Sequence, residues 1–418
     1  MSDSGEQQRD AAEPETVPRH GRLPKHGAAS TYLKLAASAV AVLAVSAASV
    51  VAYAAVDLVG SVKPGVELAN EHLLEGAPDV GAMEGGLNFL LVGSDKRPLD
   101  GSFGDPEEDP GVLNDVTMLL HISQDHSHVE VVSFPRDMIV PVPECPDPVD
   151  PESGPLSAMS GVPLNSVLGH GGLGCVVDTI GQLTGATITV AGVVEFKGVA
   201  ALSEAVGGVE ICLADRVDDD YSGLHLDAGT HTISGYDALA FLRTRHGVGD
   251  GSDLGRIASQ QAFMASLART LQSDGTLGDP VKLYSIAKAV MSNMELSQAL
   301  QDPTTLVSIA RTLADVDLSK IAFVQYPTEY SDDRTQVLPA ESAEAVNAAL
   351  QADQPLVIDP TAIDNSEFGT VADPAAPPVD GSAEAPPAEA SAPPTAPLPG
   401  DVTGITGDTV RCAKANEG

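Results

Sequence analysis

The strongest pattern in the chain is one uninterrupted apolar run. Residues 35–56 hold no charged side chain and are dominated by Ala, Val and Leu. At ~1.5 Å per residue, a helix of that length spans a hydrocarbon core of ~30 Å. Arg19, Arg22, Lys25 and Lys34 precede the run and Asp57 follows it. The excess of basic residues on the N-terminal side places the N-terminus in the cytoplasm and the rest of the chain outside. The rival reading is a cleaved signal peptide, for which Ala52-Tyr53-Ala54 imitates a cleavage site. A signal peptide has a shorter apolar region, ~7–15 residues, so the pattern favours an anchor. Residues 1–31 are polar and rich in Pro, Gly, Ser and charge, as a disordered segment is.

Beyond the run, the apolar positions come in short blocks of alternating type. Residues 57–85 read as a stalk with some helical character. A compact domain follows over 86–356. Its first strand is Leu87-Asn88-Phe89-Leu90-Leu91-Val92-Gly93, an apolar run closed by glycine. Residues 98–114, rich in Gly, Pro and acid, read as a loop. Strands are predicted at 116–122 and 129–134, with His126-Ser127 as the turn between them. Residues 141–163 read as loop, 175–183 as helix, 186–194 as β-rich, 196–206 as helix and 209–213 as strand. Helical periodicity returns at 237–243, 253–271, 282–294 and 303–313. A late strand at 321–326 and a helix at 343–350 close the pattern. Interleaved strands and helices imply an α/β or α+β domain with one central sheet. Residues 367–401 form a Pro/Ala-rich, disordered linker, and 402–418 are a tail that carries Cys412.

Charge narrows the function. The chain of 418 residues has 22 Lys+Arg against 59 Asp+Glu, a formal net charge of -37. Such a surface repels nucleic acid, whose binding depends on neutralising phosphates. Against that background a local group of arginines is informative. The cysteines are Cys145, Cys175, Cys212 and Cys412, with no CxxC pair, so zinc and thioredoxin chemistry have little support. Outside the membrane, disulfides are their natural use, with free core thiols for some of them as the alternative. Three full pairings are open. Cys145–Cys175 is favoured because both flank one Pro/Gly-rich segment, and Cys412 is placed to tie the tail back to Cys212.

Four stretches carry candidate chemistry. Gly93-Ser94-Asp95 puts an acid just after a strand, where α/β folds place their sites, although such an Asp also forms plain turns. Asn114-Asp115-Val116-Thr117 starts a strand with an acid. Ser133-Phe134-Pro135-Arg136-Asp137 ends one with a proline that aims Arg136 outward; an exposed Arg–Asp pair is the bland alternative. The densest is Arg243-Thr244-Arg245-His246, followed by Asp253-Leu254-Gly255-Arg256 and Gln260-Gln261. Arg256 and Gln260 share a helix face. Arginine offers a planar fork of donors suited to phosphate, and an acid-paired solvated face is the alternative. Two acids with several arginines suit phosphoryl transfer assisted by a hard divalent cation. No Walker sequence and no GxSxG elbow is present.

These stretches, with Leu164-Asn165, Gly207-Gly208-Val209-Glu210 and Gly235-Tyr236-Asp237-Ala238-Leu239, stand in the order found in the LytR-CpsA-Psr family. The chain resembles that family over roughly 87–271. The resemblance implies an α/β fold of α-β-α type, a central mixed sheet flanked by helices, behind an N-terminal transmembrane helix. It implies an envelope enzyme that moves a glycopolymer from a polyprenyl-pyrophosphate carrier onto peptidoglycan, leaving a phosphodiester link, with Mg²⁺ or Mn²⁺. Asp95, Asp115 and Arg136 would be catalytic, the two acids serving as metal ligand and general base. Arg243, Arg245, Arg256 and Gln260 would bind the pyrophosphate, joined by Arg97 and Asn165. The sheet–helix interior would hold the polyprenyl chain. Two positions depart from the family pattern. Pro163-Leu164 stands where a Lys often precedes the Asn, and Ser259 stands where another Arg often precedes the Gln pair. A polyprenyl-pyrophosphate hydrolase, with water as acceptor, is one alternative; a non-catalytic wall-binding or regulatory anchor, which those losses raise, is the other.

Overall fold

The computed structural model describes residues 28–74, 86–97, 107, 111–244, 246–249, 253–273, 275–276, 278–332, 336–359, 370–372 and 397–416. Residues 1–27, most of the expected 98–114 loop and most of the Pro/Ala-rich linker lie outside the described residues, as does Arg245. The chain divides into two compact units, Met1–Ala55 and Val56–Gly418. The first holds most of α1 (Ala28–Gly60). From Ala29 this helix is long and apolar enough to cross a membrane, and none of its most apolar stretch is buried. It runs past both ends of the apolar run.

The second unit is built on a seven-stranded mixed sheet. Its strands are β1 (Leu87–Ser94), β2 (Asn114–Ile122), β3 (Val129–Phe134), β4 (Val190–Val194), β5 (Met294–Leu296), β6 (Ile321–Gln325) and β7 (Gly404–Thr406), in the order β5-β4-β1-β2-β3-β6-β7. β1, β2 and β3 form an antiparallel meander, while β4 and β6 run parallel to β1 and β3. Successive side chains of a strand point to opposite faces. Leu90, Val92, Leu119, Val132 and Phe134 therefore face one layer, with α2 (Val167–Thr184) and, later in the chain, Val346 and Leu350 of a helix at Ala343–Gln351. Leu87, Leu91, Met118, Val129 and Val131 face the other. That layer holds α3 (Phe196–Ala205), α4 (Gly235–Arg243), α5 (Asp253–Gln272) and α6 (Pro280–Asn293). The result is the three-layer α-β-α architecture.

A second, four-stranded sheet runs Gly229–Ile233, Val209–Leu213, Arg411–Ala413, Thr370–Ala372. Cys212 and Cys412 stand opposite each other in its parallel pair and form a disulfide; Cys145 and Cys175 form the other. The stretch 402–418 thus adds one strand to each sheet. Within 57–85, Leu68 is buried in the main core and Val66 bridges Ser297.

Helix α2 starts at Val167, eight residues before the predicted start at 175. Four glycines between 169 and 174 hide it in the sequence. The helix is also broken there, with Gly172 at φ +67°, a conformation that favours glycine. Helix α6 begins as its sequence demands: the Asp279 carboxylate accepts from the N–H groups of Val281 and Lys282, and Pro280 opens the first turn. It stops at Asn293 because Met294 turns extended to pair with β4.

Candidate functional site

The registers of β1, β2, β3 and β4 bring their functional ends to one edge of the central sheet. Gly93 pairs with Val116 and with Val194, and Thr117 pairs with Phe134. Asp95, Asp115, Arg136 and Glu195 are therefore carried by neighbouring strand ends. The β1–β2 register slips between Gly93 and Ser94: Gly93 faces Val116, Ser94 faces Asn114, and Asp115 is passed over. Asp115 is the extra residue of a bulge, a device that re-aims a side chain out of the pleat. Its neighbours hold the bulge in place. The buried Asn114 donates to the Thr117 hydroxyl at 2.9 Å and accepts from the Leu168 N–H at 3.1 Å.

Below that edge lies a cavity of about 420 Å³, between the sheet and α3, α4 and α5. Its walls are mostly apolar: Leu91, Val116, Met118 and Val194 from the sheet, Phe196, Val199 and Leu202 from α3, Leu239 and Leu242 from α4, and Phe263, Met264 and Leu267 from α5. Asp115, Arg136, Arg243, Arg256, Gln260, Asp219, Tyr221 and His246 also line it. A greasy chamber with a cluster of cations and acids can take a ligand with an apolar part and a charged part.

Five of the sequence-derived candidates, Asp115, Arg136, Arg243, Arg256 and Gln260, thus line one cavity. Arg136 donates to Asp115 at 2.5 Å. Arg256, buried on α5, donates to the Asp115 backbone carbonyl at 3.1 Å. Gln260, also buried, donates to the carbonyl of Leu242 at 3.2 Å, one of the open carbonyls at the end of α4. The Arg243 guanidinium lies 4.3 Å from the centre of the Phe196 ring, where a cation is attracted to the π face. Arg243 keeps an exposed side, yet the cavity walls desolvate its guanidinium. Its pKa lies below the ordinary arginine range, first through that desolvation and then through the charge of Arg97; Asp115 and Asp95 oppose the shift. Arg97 and Asp95 therefore act on the cluster by charge, although neither lines the cavity. The Asp95 carboxylate accepts from the Leu113 N–H at 2.7 Å, which anchors the end of the 98–114 insertion. Asn165 lies off the cavity too. Its N–H donates to the Arg136 carbonyl at 2.8 Å and its amide reaches Asp137 at 3.4 Å, so it steadies the Arg136 turn.

Three further residues at the cavity escaped the sequence reading. Phe196 looks like an ordinary core residue at the start of a helix. Asp219 lies in Asp218-Asp219-Asp220, which reads as a solvated acidic turn, and exposed Tyr221 follows it. Asp219 is in fact only 4% exposed. It accepts from the hydroxyls of Thr244 (2.5 Å) and Ser222 (2.9 Å) and from the Tyr221 N–H (2.9 Å). Burial pushes its carboxyl up, but these hydrogen bonds outweigh it and hold the pKa below the usual range. The signal for Asp219 was its spacing: Ser222 and Gly223 complete a turn that a carboxylate organises.

Asp95 and Asp115 are hard oxygen donors whose charges act on Arg243. Mg²⁺ is commonly held by one or two carboxylates together with substrate phosphate, so this donor set fits it. Among the described residues, three ligating groups gather elsewhere only, at exposed Asp218, Asp220 and His225.

Comparison with known proteins places this arrangement. The LytR_cpsA_psr family pattern matches residues 62–352, more than half of the chain. The chain belongs to the LytR-CpsA-Psr family. Among relatives it is similar to the cell wall biosynthesis protein LcpA of Corynebacterium glutamicum, 30% identical over 287 residues, which are 62% of this chain and 53% of that protein. It is also 30% identical over 206 residues to the probable cell wall biosynthesis protein LcpB of the same organism, 48% of this chain and 45% of that one. The chain spans about half the length of the curated relatives it matches. Among solved structures it resembles a LytR-Csp2A-Psr enzyme from Actinomyces oris, with TM-score 0.51 and 23% identity over 69% of this chain and 96% of that one. A protein from Streptococcus agalactiae shares the fold with TM-score 0.52 and 18% identity, over 68% and 90%. The LytR-CpsA-Psr match ends at 352, so the strands at 404–406 and 411–413 lie outside it. Of the two departures from the family pattern, Ser259 is buried on α5 with its hydroxyl toward the Gly255 carbonyl, and Leu164 is buried in the main core.

Proposed function

We propose that this protein transfers an anionic glycopolymer from a polyprenyl-pyrophosphate carrier onto a peptidoglycan hydroxyl, outside the cell membrane. The observation that carries the reading is the single cavity with apolar walls and an Asp/Arg cluster at the sheet edge. A prenyl pyrophosphate has the same division, a long apolar chain ending in two linked phosphates. Arg136, Arg243 and Arg256 take the phosphate oxygens, with Arg245 beside them in sequence, and Phe196 steadies Arg243 where the apolar wall meets the charge. Asp95 and Asp115 would hold Mg²⁺, which when bound offsets the charge of the diphosphate.

In the step itself, the acceptor hydroxyl oxygen attacks the glycan-side phosphorus. A new P–O bond forms there, and the bond from that phosphorus to the bridging oxygen breaks. The hydroxyl proton passes to a carboxylate of the Asp95–Asp115 pair. Polyprenyl monophosphate leaves, and a phosphodiester joins glycan to acceptor. Guanidinium groups set around the leaving phosphate stabilise the charge it gains.

The basic residues before α1 and two disulfides, which suit an oxidising compartment, support this location. The names of the Corynebacterium relatives accord with a role in wall assembly. The test is transfer by the full chain in nanodiscs, from a purified lipid-pyrophosphate glycan to peptidoglycan with Mg²⁺. Glycan-phosphate on the peptidoglycan is the expected product. Release of glycan phosphate to water at the same rate without acceptor would make the protein a hydrolase instead. Lipid bound but never turned over would make it a wall-binding anchor.

A further inference from the structure

The residues just after Cys412 touch 247–249, which follow Arg243 at the C-terminal end of α4. Strand Arg411–Ala413 is fixed against Val209–Leu213 by the Cys212–Cys412 disulfide and by the Ala214 N–H donating to the Ala413 carbonyl at 2.9 Å. The chain then runs beside 247–249. Val248 and Ala415 form an antiparallel bridge, the Gly249 N–H donates to the Lys414 carbonyl at 2.9 Å, and the Asn416 N–H donates to the Gly247 carbonyl at 3.2 Å. From the other side, the buried Asp219 carboxylate holds the Thr244 hydroxyl, and that hydroxyl accepts from the Gly247 N–H at 3.1 Å. Gly247 is so closely wrapped that a Cβ would meet Asp219, Thr244 and Val217 at 2.8 Å each.

We propose that residues 414–416 are a positioning strap for the arginine loop, clamping 247–249 so that Arg243 is already set at the cavity before substrate arrives. The idea rests on the pyrophosphate reading of the site. Among the described residues between Arg243 and the next helix, 244 and 246–249, none belongs to a helix or named strand. Left unpaired, this loop would have to be ordered at each binding event, and that ordering lowers affinity. Residues 414–416 line no part of the cavity themselves. Loss of the strap should therefore weaken the grip on the phosphates and leave the apolar contribution alone.

The test compares the full chain in nanodiscs with two variants. One ends at Ala413, which keeps the disulfide and both strands. The other is Asn416→Pro, which keeps the length but removes one donor to the loop. The probes are farnesyl pyrophosphate and farnesol. The expected result is a loss of about 10-fold in farnesyl pyrophosphate affinity, with farnesol binding unchanged, together with faster amide exchange at 246–249 in both variants. Unchanged binding of both probes, or an equal loss for both, would overturn the strap. If the wild-type chain binds farnesyl pyrophosphate no better than farnesol, the pyrophosphate reading fails. Exchange at 246–249 then decides the strap by itself: faster exchange in the variants upholds the clamp, and unchanged exchange ends it.

Discussion

At the scale of single residues, the site depends on Arg136. It pairs with the bulged Asp115 at 2.5 Å and lines the cavity. With Arg136 as the phosphate ligand proposed above, Arg136→Ala removes that contact and the ion pair to Asp115 at the same point, so transfer should fall about 10²–10³-fold, the range for loss of one charge-stabilising donor. A steady-state assay at saturating lipid substrate reads this, and near-normal turnover would remove Arg136 from the chemistry. A second titratable group lies at the opposite end of β2 and β3. His128, buried in the hairpin, faces Glu130, Asp353 and Asp125, with the His121 ring 6.3 Å away. Burial lowers its pKa, but the 2.7 Å hydrogen bond to Glu130 and the surrounding acids outweigh it, and the net shift is upward. A raised folded-state pKa stabilises the fold fully below the unfolded histidine value and loses that stabilisation as pH rises through the folded one. The thermal midpoint should therefore decline as pH goes from about 6 to 8, and His128→Gln should flatten the decline. Parallel curves for the two proteins would contradict this.

At the scale of elements, the two disulfides close loops of very different size, 30 and 200 residues of separation. Loop-closure entropy gives roughly 3.5 kcal/mol for the shorter and roughly 5 kcal/mol for the longer. Replacing Cys212 and Cys412 by Ser should therefore lower the unfolding free energy of the full chain more than replacing Cys145 and Cys175. Chemical denaturation of the two double variants checks the order, and the reverse order would mean that native-state packing outweighs chain entropy. Legibility in the sequence divides along the same elements. The buried strands at 87–93, 116–122, 129–134 and 209–213 are apolar runs long enough to be read, and they sit where they were predicted. Strands β5, β7 and 411–413 have three residues each and exist only through their partners. Such pieces carry no period, and the last two follow a low-complexity stretch, so nothing local marks them. The same divide runs through the site. Arg136, Arg243 and Arg256 stand out because arginines are scarce in an acidic chain, and Asp115 because it starts a strand. Phe196 and Asp219 do not, because their types are ordinary and only the fold brings them to the cavity. The bulge that re-aims Asp115 is a matter of register, which no single strand encodes.

At the scale of the whole molecule, cationic chemistry is set in an anionic body. The chain has a net charge of -37, while Arg136, Arg243 and Arg256 line the cavity together with Asp115, Glu195 and Asp219. A diphosphate ligand therefore meets two fields of opposite sign. At distances beyond the cavity the body repels it, and only close to the mouth do the guanidinium groups attract it. Salt separates the two, because screening acts on exposed, distant charges first. The Debye length falls from about 30 Å at 0.01 M to about 8 Å at 0.15 M ionic strength. Raising salt across that range should therefore remove the long-range repulsion while the partly enclosed contacts with Arg136 and Arg256 persist. The association rate of farnesyl pyrophosphate with the full chain should increase over this interval, opposite to the usual behaviour of an arginine-lined anion site. Stopped-flow mixing in nanodiscs of neutral lipid makes the measurement without a charged membrane surface. A rate that falls steadily with salt would mean that the arginines govern the approach as well as the grip, and that the acidic surface is turned away from the path of the ligand.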